Sequence, residues 1–283
     1  MIGWRAHPEV WLLVAGVAGA YWYGVQRIGR RVGERASARH LRCFGAALAI
    51  LWGTSDWPVH DVAENRLYAV HMVQHLFLSL VMPALFLMGI PTWLARLVVG
   101  PAEGRFYRVV RSATRPVLAT VLFNGVVVLS HWPVIVNASV EVGVLHYGVH
   151  LLLVTTALIM WVPVCGPLKE LRLSAPGQMI YLFAQSIIPT VPAAWLTFAE
   201  GAVYSSYDHL PRMWGVSVAD DQQMAGLIMK IVGGFYLWSI ITVKFFRWSS
   251  SEREHVPGST PVVLTWADVE RELAQAGPAP REP

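Results

Sequence analysis

Residues 67–90 read LYAVHMVQHLFLSLVMPALFLMGI, a run without a single Asp, Glu, Lys or Arg. About 20 predominantly apolar residues cross about 30 Å of hydrocarbon as a helix, because lipid offers unpaired backbone groups no partner. This run is long enough, and six more accompany it, roughly 9–25, 41–57, 116–132, 142–164, 179–198 and 224–246. Composition agrees. Of 283 residues, 55% are AVILMFWYC and only 14% are charged, against about 45–50% and about 25% in a soluble protein. The predicted fold class is all-α, a polytopic membrane protein with seven transmembrane helices in residues 1–248. Residues 249–283 read as a cytosolic tail.

Basic residues predict the orientation. With the N-terminus outside and the C-terminus inside, the inner segments 27–42, 91–116, 163–177 and the tail from 244 hold 18 of the 22 Lys and Arg. The outer segments hold only Arg5, Arg66 and Arg212, as the positive-inside rule predicts. The first apolar run resembles a signal peptide, but its cluster Arg27, Arg30, Arg31, Arg35, Arg39 and Arg42 follows the run instead of preceding it, so a retained helix is expected. The formal net charge of +4 is explained by these arginines and points to the bilayer, not to nucleic acid. Cys43 and Cys165 both fall at the inner face, away from an oxidising compartment, and two Cys exclude a disulfide scaffold. The tail is polar and punctuated by proline, with one amphipathic stretch over 266–276, opened by Thr265 and stopped by Gly277.

On this map eight of the ten His fall on the outer half, leaving His40 and His255 inside. His7, His60 and His209 lie in loops or at helix ends, where a solvated surface role is expected. The other five differ. His71 and His75 occupy the first turns of the third span, His146 and His150 those of the fifth, and His131 ends the fourth on the same side. Positions i and i+4 share a helix face, so each pair can offer two imidazoles to one point. One intramembrane His can simply bond a neighbouring helix. Five at one depth, where buried polar groups are costly, point to a metal, and imidazole suits copper, zinc and iron.

The seventh span opens Asp220-Asp221-Gln222-Gln223-Met224 and carries Met229 deeper in. Asp221 either ligates a metal, orients a ligand His, or serves with Asp220 as an ordinary acidic helix start. Met224, one turn beyond Asp220 and Asp221, offers a soft thioether ligand favouring Cu(I). Lys230 stands near the bilayer centre, about 15 Å below Asp220 along a helix. It must face the bundle, towards Gln185 or carbonyls freed near Pro189 and Pro192, in a structural or a functional role. Pro83, Pro189 and Pro192 predict kinks. Trp11, Trp52, Trp57, Trp132, Trp161, Trp214 and Trp248 read as an interfacial aromatic belt.

The ordered set His71-Met-Val-Gln-His75, Pro83, Gly89-Ile-Pro91, His131-Trp-Pro133, His146-x-x-x-His150, Trp161-Val-Pro163 and Asp221-Gln-Gln-Met-Ala-Gly-Leu-Ile-Met229 resembles the multi-spanning CtaG family of cytochrome c oxidase assembly factors. The resemblance runs from about residue 50 to 245. It implies a non-catalytic protein of the bacterial plasma membrane that helps to build haem–copper oxidases, with copper as cargo and an oxidase subunit as partner. It marks His71, His75, His131, His146, His150, Asp221 and Met229. Lys230 follows where Trp would not have been a surprise.

Three rivals remain beside a copper-handling assembly factor. A haem-binding electron-transfer protein would use one His from each pair and leave the i+4 partners idle. A diiron desaturase or hydroxylase would need further His clusters, including HxxHH, which the chain lacks. A copper permease would differ only in whether the metal crosses.

Overall fold

The computed structural model describes residues 5–209, 214–255 and 266–276. All regular structure among them is helical. Helix α1 covers residues 8–32, with a π turn at Gly24–Ile28, and ends where Gly33 takes the left-handed conformation (φ 74°). Helix α2 (Ala38–Ser55) opens with a reciprocal cap: Ser37 Oγ accepts from His40 N–H, and His40 Nδ1 accepts from Ser37 N–H. The short α3 (Val59–Asn65) leads through two residues into α4 (Tyr68–Gly89). Then follow α5 (Thr92–Val99), α6 (Arg105–Ala113), α7 (Pro116–Ser130), α8 (Pro133–Glu141), α9 (Gly143–Cys165), α10 (Ala175–Thr197), α11 (Val218–His255) and α12 (Trp266–Ala276).

Four of these helices are long and apolar enough to cross a membrane: α4, α9, α10 and residues Val218–Glu252 of α11. Counting α6 and α7 as one broken span, bent by 68°, makes five. The bend falls at Pro116, whose ring pushes Arg115 out of the helical region (ψ 134°). Of the seven expected spans, four or five thus meet length and apolarity among the described residues. Helices α1 and α2 are less apolar, since Glu9, Trp11, Tyr21 and Trp22 dilute one and Arg39, His40 and Arg42 the other. The amphipathic tail helix forms over Trp266–Ala276 as expected, while Thr265 and Gly277 lie outside the described residues.

Helix α4 is the central post, packed against α2, α9 and α11. Small residues set the closest approaches. A Cβ on Gly89 would stand 2.7 Å from the backbone nitrogen of Phe44 in α2, and one on Gly226 would stand 2.6 Å from Ala193 O in α10. Met72, Leu153, Met160, Trp161, Leu182 and Leu196 fill the space between, each essentially buried. Pro83 has no N–H to give to the carbonyl of Ser79, and a π turn occupies Phe77–Val81 just before it. Trp161 Nε1 of α9 donates to that carbonyl instead, at 3.0 Å, so this Trp is a buried strut and not a belt residue. A break after Ile187 interrupts α10 before Pro189.

Candidate metal centre

The start of the seventh expected span does structural work on three sides. Both oxygens of the buried Asp221 carboxylate accept backbone N–H groups at the head of α4, Tyr68 at 2.8 Å and Ala69 at 2.9 Å. These are donors that a helix start leaves unpaired, and the negative charge sits at the positive end of the helix dipole. Gln222 Oε1 accepts from Val203 N–H at 2.7 Å and Tyr204 N–H at 3.2 Å, and the Tyr204 hydroxyl donates to His131 O at 2.9 Å. Asp220 accepts from the Ser217 hydroxyl at 2.6 Å at an exposed helix end. The sequence offered Asp221 as a ligand, an orienting residue or an ordinary start of its own helix; in the structure it caps the neighbouring helix, a role outside those readings.

Anchored in this way, α4 turns His71 and His75 towards His146 and His150 of α9. Ring centroids stand 4.2 Å apart for His71 and His75, 4.4 Å for His146 and His150, and 4.8 Å for His75 and His150. His75 Nε2 and His150 Nε2 are 3.3 Å apart. One ligand nitrogen from each of His71, His75 and His150 lies within 4.8 Å of the others. His71 Nδ1 is buried without a hydrogen-bond partner. A cavity of about 240 Å³ reaches these rings, lined by Glu64, Tyr68, His71, His75, His146 and His150 among others.

His131 stands one step further in, its ring 6.3 Å from that of His75. Its Nδ1 lies 2.7 Å from Val127 O, a carbonyl that can only accept, so Nδ1 carries the proton and Nε2 keeps its lone pair. That Nε2 is also buried without a partner. The expected fivefold cluster is therefore a group of three, flanked by His146 on one side and His131 on the other.

The remaining expected residues separate. Met229 is buried and lines a small cavity of about 60 Å³ together with His75, His131 and Met72. Met224 is 52% exposed and lines none of the cavities that His71, His75, His131 and His150 border. Lys230 Nζ donates to Thr190 Oγ1 at 2.5 Å and to Ser186 O at 3.4 Å, on a flank of the bundle that is exposed and not enclosed. Its carbonyl partner is thus near Pro189, as expected, but is Ser186.

Sequence reasoning missed two residues. His60, expected in a solvated loop, is 3% exposed inside α3, and Glu64 follows one turn later. Glu64 Oε1 lies 2.7 Å from His146 Nε2 and 3.1 Å from His60 Nε2. Burial pushes the His60 imidazole below its ordinary pKa. Burial also works to raise the Glu64 carboxyl, but His146 and His60 outweigh it and hold it below the ordinary carboxylate value. The signal was present as His60-x-x-x-Glu64, a third i,i+4 pair of ligand types. His7 is likewise drawn in, its Nε2 3.1 Å from Asp61 Oδ2. The side chain of His209 lies outside the described residues.

No curated protein and no solved structure matches this chain. The family model described as cytochrome c oxidase caa3 assembly factor (Caa3_CtaG) matches residues 19–251. That match takes in both HxxxH pairs, His131 and the Asp221 cap, and on it the chain belongs to the family of cytochrome c oxidase caa3 assembly factors.

Proposed function

We propose that this assembly factor holds copper at His71, His75 and His150 and passes it to an oxidase subunit. The observation that carries the reading is the convergence of three imidazoles from two helices, their ligand nitrogens within 4.8 Å and His71 Nδ1 buried without a partner. Leaving such a nitrogen unpaired in a buried site costs about 1–3 kcal/mol, which a metal bond would offset. Neutral imidazole is the common metal ligand, and an all-nitrogen set accepts copper in either oxidation state. Three protein ligands with a cavity beside them leave a position through which the ion could be taken up and surrendered.

Copper fits this site better than haem. His75 and His150 meet nitrogen to nitrogen at 3.3 Å, which leaves no slab between them for a macrocycle. Beyond His75 the lining turns to Met72, Leu76, Leu80 and Phe123, which favours holding the ion over moving it across. The distribution of Lys and Arg supports seven crossings of a bacterial plasma membrane with the N-terminus outside, α1 and α2 being the two weakest spans. An impermeant thiol reagent reaching Gly104→Cys from outside intact cells would reverse that orientation.

The binding test is copper content of the purified protein. His75→Ala and His150→Ala are expected to lose the ion, whereas His40→Ala, a helix cap on α2, is expected to keep it. Equal copper in all three would remove the site. In cells, deletion is expected to leave the oxidase polypeptides made but short of copper, with partial recovery in excess copper by mass action. An oxidase with its full copper in the deletion strain would contradict delivery.

A further inference from the structure

Beside the three-His group lies a second convergence that the oxidase-assembly reading does not use. One ligand atom each from His60, Glu64 and His146 falls within 4.8 Å of the others. Glu64 Oε1 is 2.7 Å from one imidazole nitrogen and 3.1 Å from the other. Both nitrogens are buried, and one carboxylate oxygen stands between them as the ion-pair partner of each. Two imidazoles and a carboxylate thus converge from two helices on one spot, where a cation can replace the protons that now lie between them. We infer that His60, Glu64 and His146 form a second metal site, one that takes a divalent cation of the Cu(II) or Zn(II) class.

The donor set supports that chemistry. Two imidazoles and one carboxylate give nitrogen and oxygen ligands with one negative charge, which suits a borderline divalent ion; the neutral three-His group also suits Cu(I). The site is held from two separately fixed helices, α3 and α9, and α4, which follows α3 after two residues, has its first turn tied down by Asp221. The His60 ring is held from behind by Gln74, whose Nε2 donates to Thr54 O at 2.8 Å and lies 3.3 Å from His60 Nδ1, which leaves His60 Nε2 turned towards Glu64.

The two sites adjoin, since the His146 and His150 rings are 4.4 Å apart. Glu64 is 30% exposed, whereas His71 and His75 are buried. The carboxylate site thus stands at the mouth and the three-His site behind it, a geometry for receiving an ion at one and storing it at the other. The second site does not require copper at the first.

The test loads the full chain in detergent with Cu(II) alone, then with Zn(II) alone, and counts ions per chain. Wild type is expected to bind about two Cu(II) ions, and Glu64→Gln and His60→Asn about one each. In these two variants the remaining Cu(II) should show the electron paramagnetic resonance of an all-nitrogen set, and in His75→Asn that of a mixed nitrogen–oxygen set. Circular dichroism and gel filtration confirm that each variant is folded. Unchanged ion count and affinity in both Glu64→Gln and His60→Asn overturn the second site, and so does loss of every ion from a folded Glu64→Gln. A single ion lost in His75→Asn and kept in Glu64→Gln overturns it too, while leaving the proposed function standing. A single ion with the reverse pattern supports the second site and overturns the first.

Discussion

Replacing Asp221 with Asn separates a helix cap from a metal ligand. The carboxylate is 1% exposed and accepts Tyr68 N–H at 2.8 Å and Ala69 N–H at 2.9 Å. A hydrogen bond to a charged group contributes about 1.5–3 kcal/mol, and an anion at a helix start about 0.3–1 kcal/mol more. Asn keeps one acceptor oxygen, loses the charge and turns an NH2 group against a backbone donor. The expected loss is the weight of one bond plus the dipole term, about 2–4 kcal/mol. At roughly 2–4 °C per kcal/mol for a chain of this size, the unfolding midpoint in detergent should fall by about 5–15 °C. Copper content, measured well below that midpoint, should stay at the wild-type level. An unchanged midpoint with copper lost would make Asp221 a ligand and refute the capping argument. An unchanged midpoint with copper kept would show that α4 does not need the cap.

Gly226→Ala puts a Cβ 2.6 Å from Ala193 O and 2.9 Å from Thr197 N, backbone atoms that cannot yield, and should cost about 1–3 kcal/mol by overpacking. Gly125→Ala, inside α7 with nothing within 4 Å, should instead stabilise by up to about 1 kcal/mol, so the two melting shifts should have opposite signs. Trp161→Phe leaves Ser79 O buried without its 3.0 Å donor and should lower stability by about 1–3 kcal/mol with copper retained; an unaltered melt would mean another donor replaces the indole. Glu170 pairs with Arg96. Burial works to raise its carboxyl, but its own backbone N–H and Arg96 prevail and hold the pKa below 4.5. Its stabilisation is therefore present above about pH 4.5 and lost as pH falls through the lower folded value. Because the side chain is 41% exposed, the effect should stay below about 1 kcal/mol. Melting curves of wild type and Glu170→Gln should differ slightly at pH 7 and converge as the pH falls into the acid range where Glu170 is protonated in the folded state.

Much of the site was legible because helical periodicity is local. His71 and His75, and His146 and His150, share a face at i,i+4 whatever surrounds them, and spans starting on one side bring the pairs to one depth. His131 was legible for the same reason. What failed were residues whose role depends on a partner far along the chain. Asp221 has the composition of a ligand and of a cap, and the groups it caps lie 153 and 152 positions away. His60 reads as a loop residue because α3 is only seven residues long, too short for a periodic apolar face to announce burial.

By itself the sequence determined an all-helical chain built for lipid, the ordered motifs of an oxidase assembly factor, and the two helices that carry the imidazole pairs. These follow from apolar run length and from the 3.6-residue turn, which act within one segment. Only the tertiary structure decided which nitrogens meet, that Asp221 grips a neighbouring helix, that Met224 is left exposed, and that His60 and Glu64 join His146. Those outcomes depend on how α4, α9 and α11 rotate against one another and on where α3 folds over them. Glycine contacts and caps set those rotations, and no single segment encodes them.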